Sequence, residues 1–248
     1  MQNSLKSKLI NQQLTFGGWL STASPAVADA MASCRFDWIV VDLEHSPLDE
    51  TNLANIFMAI ENHDVSPLVR LPRADPFLAR RSLDLGAAGA IIPTVESIED
   101  FTDFAQHCIY PPAGCRGVGL SRANKWGSEF EDYFENFQPV LIPQIETRKG
   151  SDLALDIVSL EMVDGLFIGP YDLSADLGDP GNFESPEFKL TLTAIKEACA
   201  NKQKVCGIHQ VAPDQSALQA KIDKGYQFLA YGTDMIAMRH AFKNLREC

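Results

Sequence analysis

Trp38-Ile39-Val40-Val41-Asp42-Leu43-Glu44-His45 decides how this chain is read. Four apolar residues run together, three of them β-branched, as in a strand buried on both faces of a parallel sheet. The run then stops at three titratable side chains. The same grammar recurs further along. Apolar runs end at Arg70, at Gln144-Ile145-Glu146, at Gly169-Pro170-Tyr171-Asp172, at His209-Gln210 and at Asp234. Six strand ends that turn polar are more than surface solvation accounts for. In a barrel, the active site is built at the carboxyl ends of several strands.

Working outward, eight strands are expected at residues 16–20, 38–42, 67–71, 90–94, 139–144, 165–168, 205–208 and 228–231. Amphipathic stretches lie between them, at 25–33, 51–62, 75–85, 98–108, 150–160, 187–200, 215–224 and 236–245. Gly86 and Gly225 mark helix ends. Alternating strands and helices specify a parallel sheet. Eight pairs in 248 residues specify an α/β fold of the (β/α)8 TIM-barrel type, one domain over residues 1–248. An open doubly wound sheet usually carries a glycine-rich phosphate loop after its first strand. Ser21-Thr22-Ala23-Ser24-Pro25 stands there instead, and no Walker-type loop occurs. The stretch 110–136 is long for a connection, which points either to function or to a surface excursion.

Composition narrows the function classes. With 21 basic and 33 acidic residues the net charge is −12, which disfavours binding to nucleic acid phosphates. Apolar residues at 46% supply a large core. No apolar run is long enough for a membrane span, and the polar start is not a secretory signal. The six cysteines form no C-x-x-C pair. They read as reduced thiols of a cytoplasmic protein.

The strand ends suggest chemistry. Alternation places Asp42 with Glu44 and Gln144 with Glu146. Glu146 and Asp172 come from adjacent strands and offer hard oxygen ligands suited to Mg²⁺ or Mn²⁺; the bland alternative is a solvated rim. A 2-oxo acid can fill two further coordination positions. His45 beside Glu44 is a general-base arrangement, or a structural histidine. Arg70 suits a carboxylate or enolate oxygen, or else a salt bridge to Asp84 or Glu44. His209 is a candidate for lining the pocket, whereas His63, His107 and His240 read as surface or packing residues. No lysine ends a strand, Lys149 falling in the next helix, so imine chemistry lacks its nucleophile.

Together with Val69-Arg70-Leu71-Pro72, Leu83-Asp84-Leu85-Gly86, Tyr110-Pro111-Pro112-Ala113-Gly114-Cys115-Arg116-Gly117, Pro143-Gln144-Ile145-Glu146-Thr147 and Gly169-Pro170-Tyr171-Asp172-Leu173-Ser174, the opening stretch resembles the HpcH/HpaI family of metal-dependent class II pyruvate aldolases. The resemblance runs over nearly the whole chain in order. It implies a divalent metal (Mg²⁺ or Mn²⁺, with Co²⁺ also compatible) held by Glu146 and Asp172. It implies Arg70 on pyruvate, His45 as base, and Asp42 and Asp84 as orienting residues. Gln144, Gly169, Pro170 and Ser174 would surround the oxo acid. The implied reaction splits a 4-hydroxy-2-oxo acid reversibly into pyruvate and an aldehyde. The implied assembly is a homo-oligomer, trimers paired into a hexamer, with a C-terminal helix packed on a neighbour. The block 121–127 resembles the sugar-acid branch and is expected to shape the aldehyde pocket. Two rivals remain. One is an acyl-CoA lyase using Arg73, Arg80 and Arg81 as a phosphate cradle. The other is a non-catalytic metabolite-binding barrel.

Overall fold

Eight parallel strands close into a barrel in chain order in a computed structural model that describes residues 3–243. The strands are β1 (Thr15–Leu20), β2 (Trp38–Asp42), β3 (Ser66–Arg70), β4 (Gly89–Ile92), β5 (Val140–Ile145), β6 (Gly165–Ile168), β7 (Val205–Gln210) and β8 (Phe228–Thr233). All eight expected strands are present, and β7 and β8 each run two residues further than their expected ends. β8 pairs back onto β1 and closes the ring.

The helical layer consists of α1 (Ser4–Ile10), α2 (Pro25–Ala32), α3 (Glu50–Glu61), α4 (Pro76–Asp84), α5 (Ile98–Gln106), α6 (Phe130–Asn136), α7 (Arg148–Asp152), α8 (Ala154–Val158), α9 (Pro170–Asp176), α10 (Pro186–Asn201), α11 (Gln215–Asp223) and α12 (Asp234–Phe242), with a 3₁₀ turn at Arg122–Gly127. Ser24, Asp49, Asp75, Ser97, Ser185 and Asp214 each accept a first-turn backbone N–H, which fixes where their helices begin. The single helix expected at 150–160 is two short ones that meet at Leu153, whose ψ of 1° leaves the helical region. The last expected helix ends at Phe242, and residues 244–248 lie outside the described residues. No helix among the described residues is long and apolar enough to cross a membrane.

Alternation along the strands splits the core in two. Ile39, Val41, Val69, Ile92, Cys206 and Ile208 face the helices. Trp38, Val40, Leu68, Ile142, Phe167 and Phe228 fill the barrel. Trp38 stacks on Phe228 at 4.1 Å between ring centroids. Gly17 makes room for it, because a Cβ there would lie 2.2 Å from the indole. The amino-terminal mouth is closed by α1, which was not expected. Its Leu5 and Leu9 join the interior cluster, Asn3 caps it, and Lys6 reaches Asp164 at 2.8 Å. The apolar pair at i and i+4 was its only signal in the sequence.

Candidate active site

The carboxyl ends of the strands surround a cavity of 370 Å³. Strand register builds its most buried element. Asp42 on β2 stands opposite Arg70 on β3, so the two side chains leave adjacent strands at one level. Arg70 Nε and Nη2 donate to the two Asp42 oxygens at 2.9 and 2.6 Å. Its Nη1 lies 2.9 Å from Glu44 Oε2. Trp19 Nε1 donates to Asp42 Oδ2 at 3.2 Å, and the guanidinium carbon sits 4.9 Å from the indole centroid. A buried cation held by two carboxylates and an aromatic face has little freedom to move.

The two carboxylates titrate apart. Burial would raise the Asp42 carboxyl, but the hydrogen bonds and charge of Arg70 outweigh it and hold it below its ordinary value. Glu44 goes the other way. Burial, helped by the nearby Glu146 and Asp42, raises it against the pull of Arg70. Asp42 thus stays an anion while Glu44 keeps its proton to higher pH. The His45 ring is exposed, with Nε2 3.9 Å from Glu44 Oε2.

Opposite, the β5 and β6 ends form an oxygen-rich wall. Glu146 Oε1 accepts from Thr94 N and Oγ1 at 2.7 and 2.9 Å, and Oε2 accepts from Gln144 Nε2. Gln144 Oε1 is buried without a hydrogen-bond partner. Gly169 lies against this pair, and a Cβ on it would sit 2.7 Å from Glu146 Oε2. Asp172 follows in the exposed first turn of α9 and lines the cavity.

A family model described as HpcH/HpaI aldolase/citrate lyase matches residues 15–241. The chain belongs to this family. The 5-keto-4-deoxy-D-glucarate aldolase of Salmonella newport (strain SL254) is 37% identical to it over 248 residues, covering 99% of this chain and 96% of the relative. A solved HpcH/HpaI aldolase/citrate lyase family protein from Burkholderia cenocepacia J2315 superposes with a TM-score of 0.90 at 32% identity, covering 99% of this chain and 100% of the other. The HpcH/HpaI aldolase from Desulfitobacterium hafniense DCB-2 does so with a TM-score of 0.88 at 28% identity, covering 98% and 95%.

In this HpcH/HpaI family member the cavity brings together Asp42, His45, Arg70, Gln144, Gly169, Pro170 and Asp172. Glu146 stands behind Gly169. Two expected residues are elsewhere. Asp84 ends α4 just before β4 begins, at the amino-terminal end of the barrel, and pairs there with Arg116 at 2.7 Å. Ser174 is buried inside α9, its Oγ donating to Tyr171 O and accepting from Gly181 N. The block 121–127 is also elsewhere. Arg122, Lys125 and Trp126 line a separate 880 Å³ groove with Asn3, Ser66 and Gly86, at the end of the barrel opposite the strand-end residues. Asp234 holds the β1–α2 connection, accepting from Ser21 and Thr22.

Of the arginines near β3, Arg80 lies over the Phe77 ring at 5.6 Å. Arg81 pairs with Glu50 at 2.6 Å and Arg73 faces Asp75 at 3.6 Å. Lys149 lies 3.8 Å from Glu96, and no described lysine lines the cavity. Four contributors were not singled out from sequence: Trp19, Glu44 as a titrating group, Thr94, and Ser21 on the cavity wall. Thr94 does carry a local mark, since its φ of +50° turns its backbone N–H toward Glu146.

Proposed function

We propose that this protein is a class II aldolase that reversibly cleaves a 4-hydroxy-2-oxo acid, of the sugar-acid or dioate type, into pyruvate and an aldehyde. The observation that carries the reading is Arg70, a buried guanidinium on the cavity wall, fixed by Asp42 and Glu44 and sharing the cavity with Gln144 and Asp172, with Glu146 behind Gly169. The name of the Salmonella relative supports it.

A divalent cation fits the donor set. Glu146 and Asp172 offer carboxylate oxygens and Gln144 Oε1 is an unpartnered buried acceptor. One or two carboxylates completed by water and substrate oxygens suit Mg²⁺ or Mn²⁺, and Co²⁺ is tolerated by the same ligands. Such a cation, when bound, polarises the keto group of the oxo acid and makes the adjacent carbon acidic.

The protein's own groups do the rest. The pyruvate carboxylate lies against the backbone of the Gly169 turn, at the start of α9, where the absent Cβ lets Glu146 and Gln144 approach closely. His45, exposed and beside Glu44, takes the proton from the C4 hydroxyl. The C3–C4 bond breaks, the aldehyde leaves, and the electron pair forms the pyruvate enolate. Arg70 is already desolvated and oriented, so it stabilises the enolate charge without reorganising. A proton returned to C3 completes pyruvate. We place the enzyme in the cytoplasm, where its five described free thiols stay reduced, and as a homo-oligomer, since α12 presents Met235, Met238 and Phe242 to solvent.

The test is pyruvate methyl exchange in D₂O. Exchange should vanish with chelator and return with Mg²⁺ or Mn²⁺. Borohydride with pyruvate should leave activity intact. Lysine reduction by that treatment, or exchange indifferent to chelation, refutes the reading.

A further inference from the structure

The cavity wall formed by β7 and β8 takes no part in the chemistry above, and it carries a histidine. Val205 of β7 faces the barrel interior, whereas Cys206 and Ile208 face the helices. Alternation therefore turns His209 inward. Its ring stacks on Trp19, with centroids 4.7 Å apart and planes at 23°. Trp19 in turn lies 5.7 Å from Phe167 and donates to Asp42. The imidazole is thus part of the same rigid stack that orients Arg70.

Its protonation follows from its partner. Nε2 lies 3.1 Å from Gly232 O, and a carbonyl only accepts, so Nε2 carries the proton. Burial pushes the imidazole down to about 4, so the ring is neutral at pH 7. Nδ1 is then a lone pair on a ring that lines the cavity. Its neighbours suit a hydroxylated ligand. Ser21 Oγ spends its proton on Asp234 at 2.6 Å and is left with lone pairs. Thr233 Oγ1 accepts from Ile236 N at 3.2 Å and is left with its O–H. A hydroxylated ligand can use this remaining capacity, and an apolar aldehyde cannot.

We propose that His209 is a specificity-determining residue of the aldehyde half of the site: its Nδ1 accepts a hydrogen bond from a hydroxyl on the carbon next to the aldehyde, so the protein selects α-hydroxyaldehydes over unsubstituted ones. This rests on the aldolase reading. A buried acceptor left unpaired by the wrong substrate is what makes such a site discriminate.

The experiment compares addition of pyruvate to glycolaldehyde and to acetaldehyde by the full-length protein with Mg²⁺, alongside His209→Leu and His209→Gln. The parent should favour glycolaldehyde in kcat/KM. His209→Leu should lose about 10-fold with glycolaldehyde while acetaldehyde changes less than about 3-fold. His209→Gln, whose amide can serve both Gly232 O and the substrate hydroxyl, should recover part of the loss and is the informative variant if His209→Leu does not fold. Pyruvate exchange in D₂O should fall by no more than the acetaldehyde rate in both variants, and a fall as large as the glycolaldehyde loss overturns the assignment. Equal losses with the two aldehydes, or unchanged selectivity in a folded variant, overturn the assignment while exchange persists. Failure of the parent itself to exchange pyruvate overturns the aldolase reading and this inference with it.

Discussion

Replacing Arg70 by Met removes the cation from between two carboxylates while keeping an unbranched side chain of similar reach. Arg70 and Asp42 are 7% and 4% exposed, so water cannot make good the loss. Breaking a buried pair from one side costs about 3–5 kcal/mol. At roughly 2–4 °C per kcal/mol for a domain of this size, Arg70→Met should melt about 6–20 °C below the parent at pH 8. The pH dependence identifies the cause. In the parent, Asp42 is held below its ordinary value by Arg70, so its contribution is full above about 3.9 and is lost only as pH falls through the depressed folded value. In Arg70→Met both carboxyls rise above their unfolded values, so the penalty is greatest at high pH and shrinks on acidification. Each pH unit below a raised value recovers about 1.4 kcal/mol per proton taken up. Melts at pH 8, 6.5 and 5 should therefore converge on the parent. A further Asp42→Asn change should restore part of the stability at pH 8. A deficit under about 1 kcal/mol, or one of equal size at pH 8 and pH 5, refutes the reasoning. Pyruvate exchange should fall by about 10²–10³ in the same variant.

Three further outcomes are expected. Gly169→Ala places a methyl 2.7 Å from Glu146 Oε2 and 2.9 Å from its Cβ, at a φ of −91° that any residue adopts, so Mn²⁺ affinity measured by calorimetry should drop while the fold persists; parental affinity would remove Glu146 from the metal wall. His209 falls from 6.5 unfolded to about 4 folded, so the stability its neutral form contributes is full above pH 6.5 and is lost as pH falls through 4, about 3 kcal/mol in all. Urea melts between pH 7 and 4 should show that loss in the parent and much less of it in His209→Gln. His45→Asn should slow cleavage by about 10²–10⁴ with almost no change in Tm, because the ring is 65% exposed; a slowdown under 3-fold would assign the proton transfer elsewhere.

The strand ends were legible because the chemistry interrupts a local pattern. Asp42, Arg70, Gln144 and Asp172 each follow or close an apolar run, and each lines the cavity. Asp84 shows the limit of that reasoning. It lies in a block that matches the family pattern, yet within one chain the helix carries it to the far end of the barrel, onto Arg116. The loop at 121–127 is similar, since its length and glycines said nothing about which mouth of its own barrel it would flank. Ser174 was placed away from the cavity only by its two hydrogen bonds, to Tyr171 O within α9 and from Gly181 N beyond it.

Periodicity is a property of neighbouring residues, so the sequence alone determined the eight strands, the alternation of helices, the barrel and the polar rim at one mouth. Which partners meet is set across the closed ring. The bond between Trp19 and Asp42 joins residues 23 apart, that between Arg70 and Asp42 spans 28, and that between Thr94 and Glu146 spans 52. Strand register, fixed by how eight twisted strands close, put Arg70 level with Asp42 and set Glu146 beneath Gly169. Only that closure lowered the Asp42 carboxyl, raised that of Glu44 and made His209 a neutral acceptor, because each of these shifts depends on burial and on a partner from another strand.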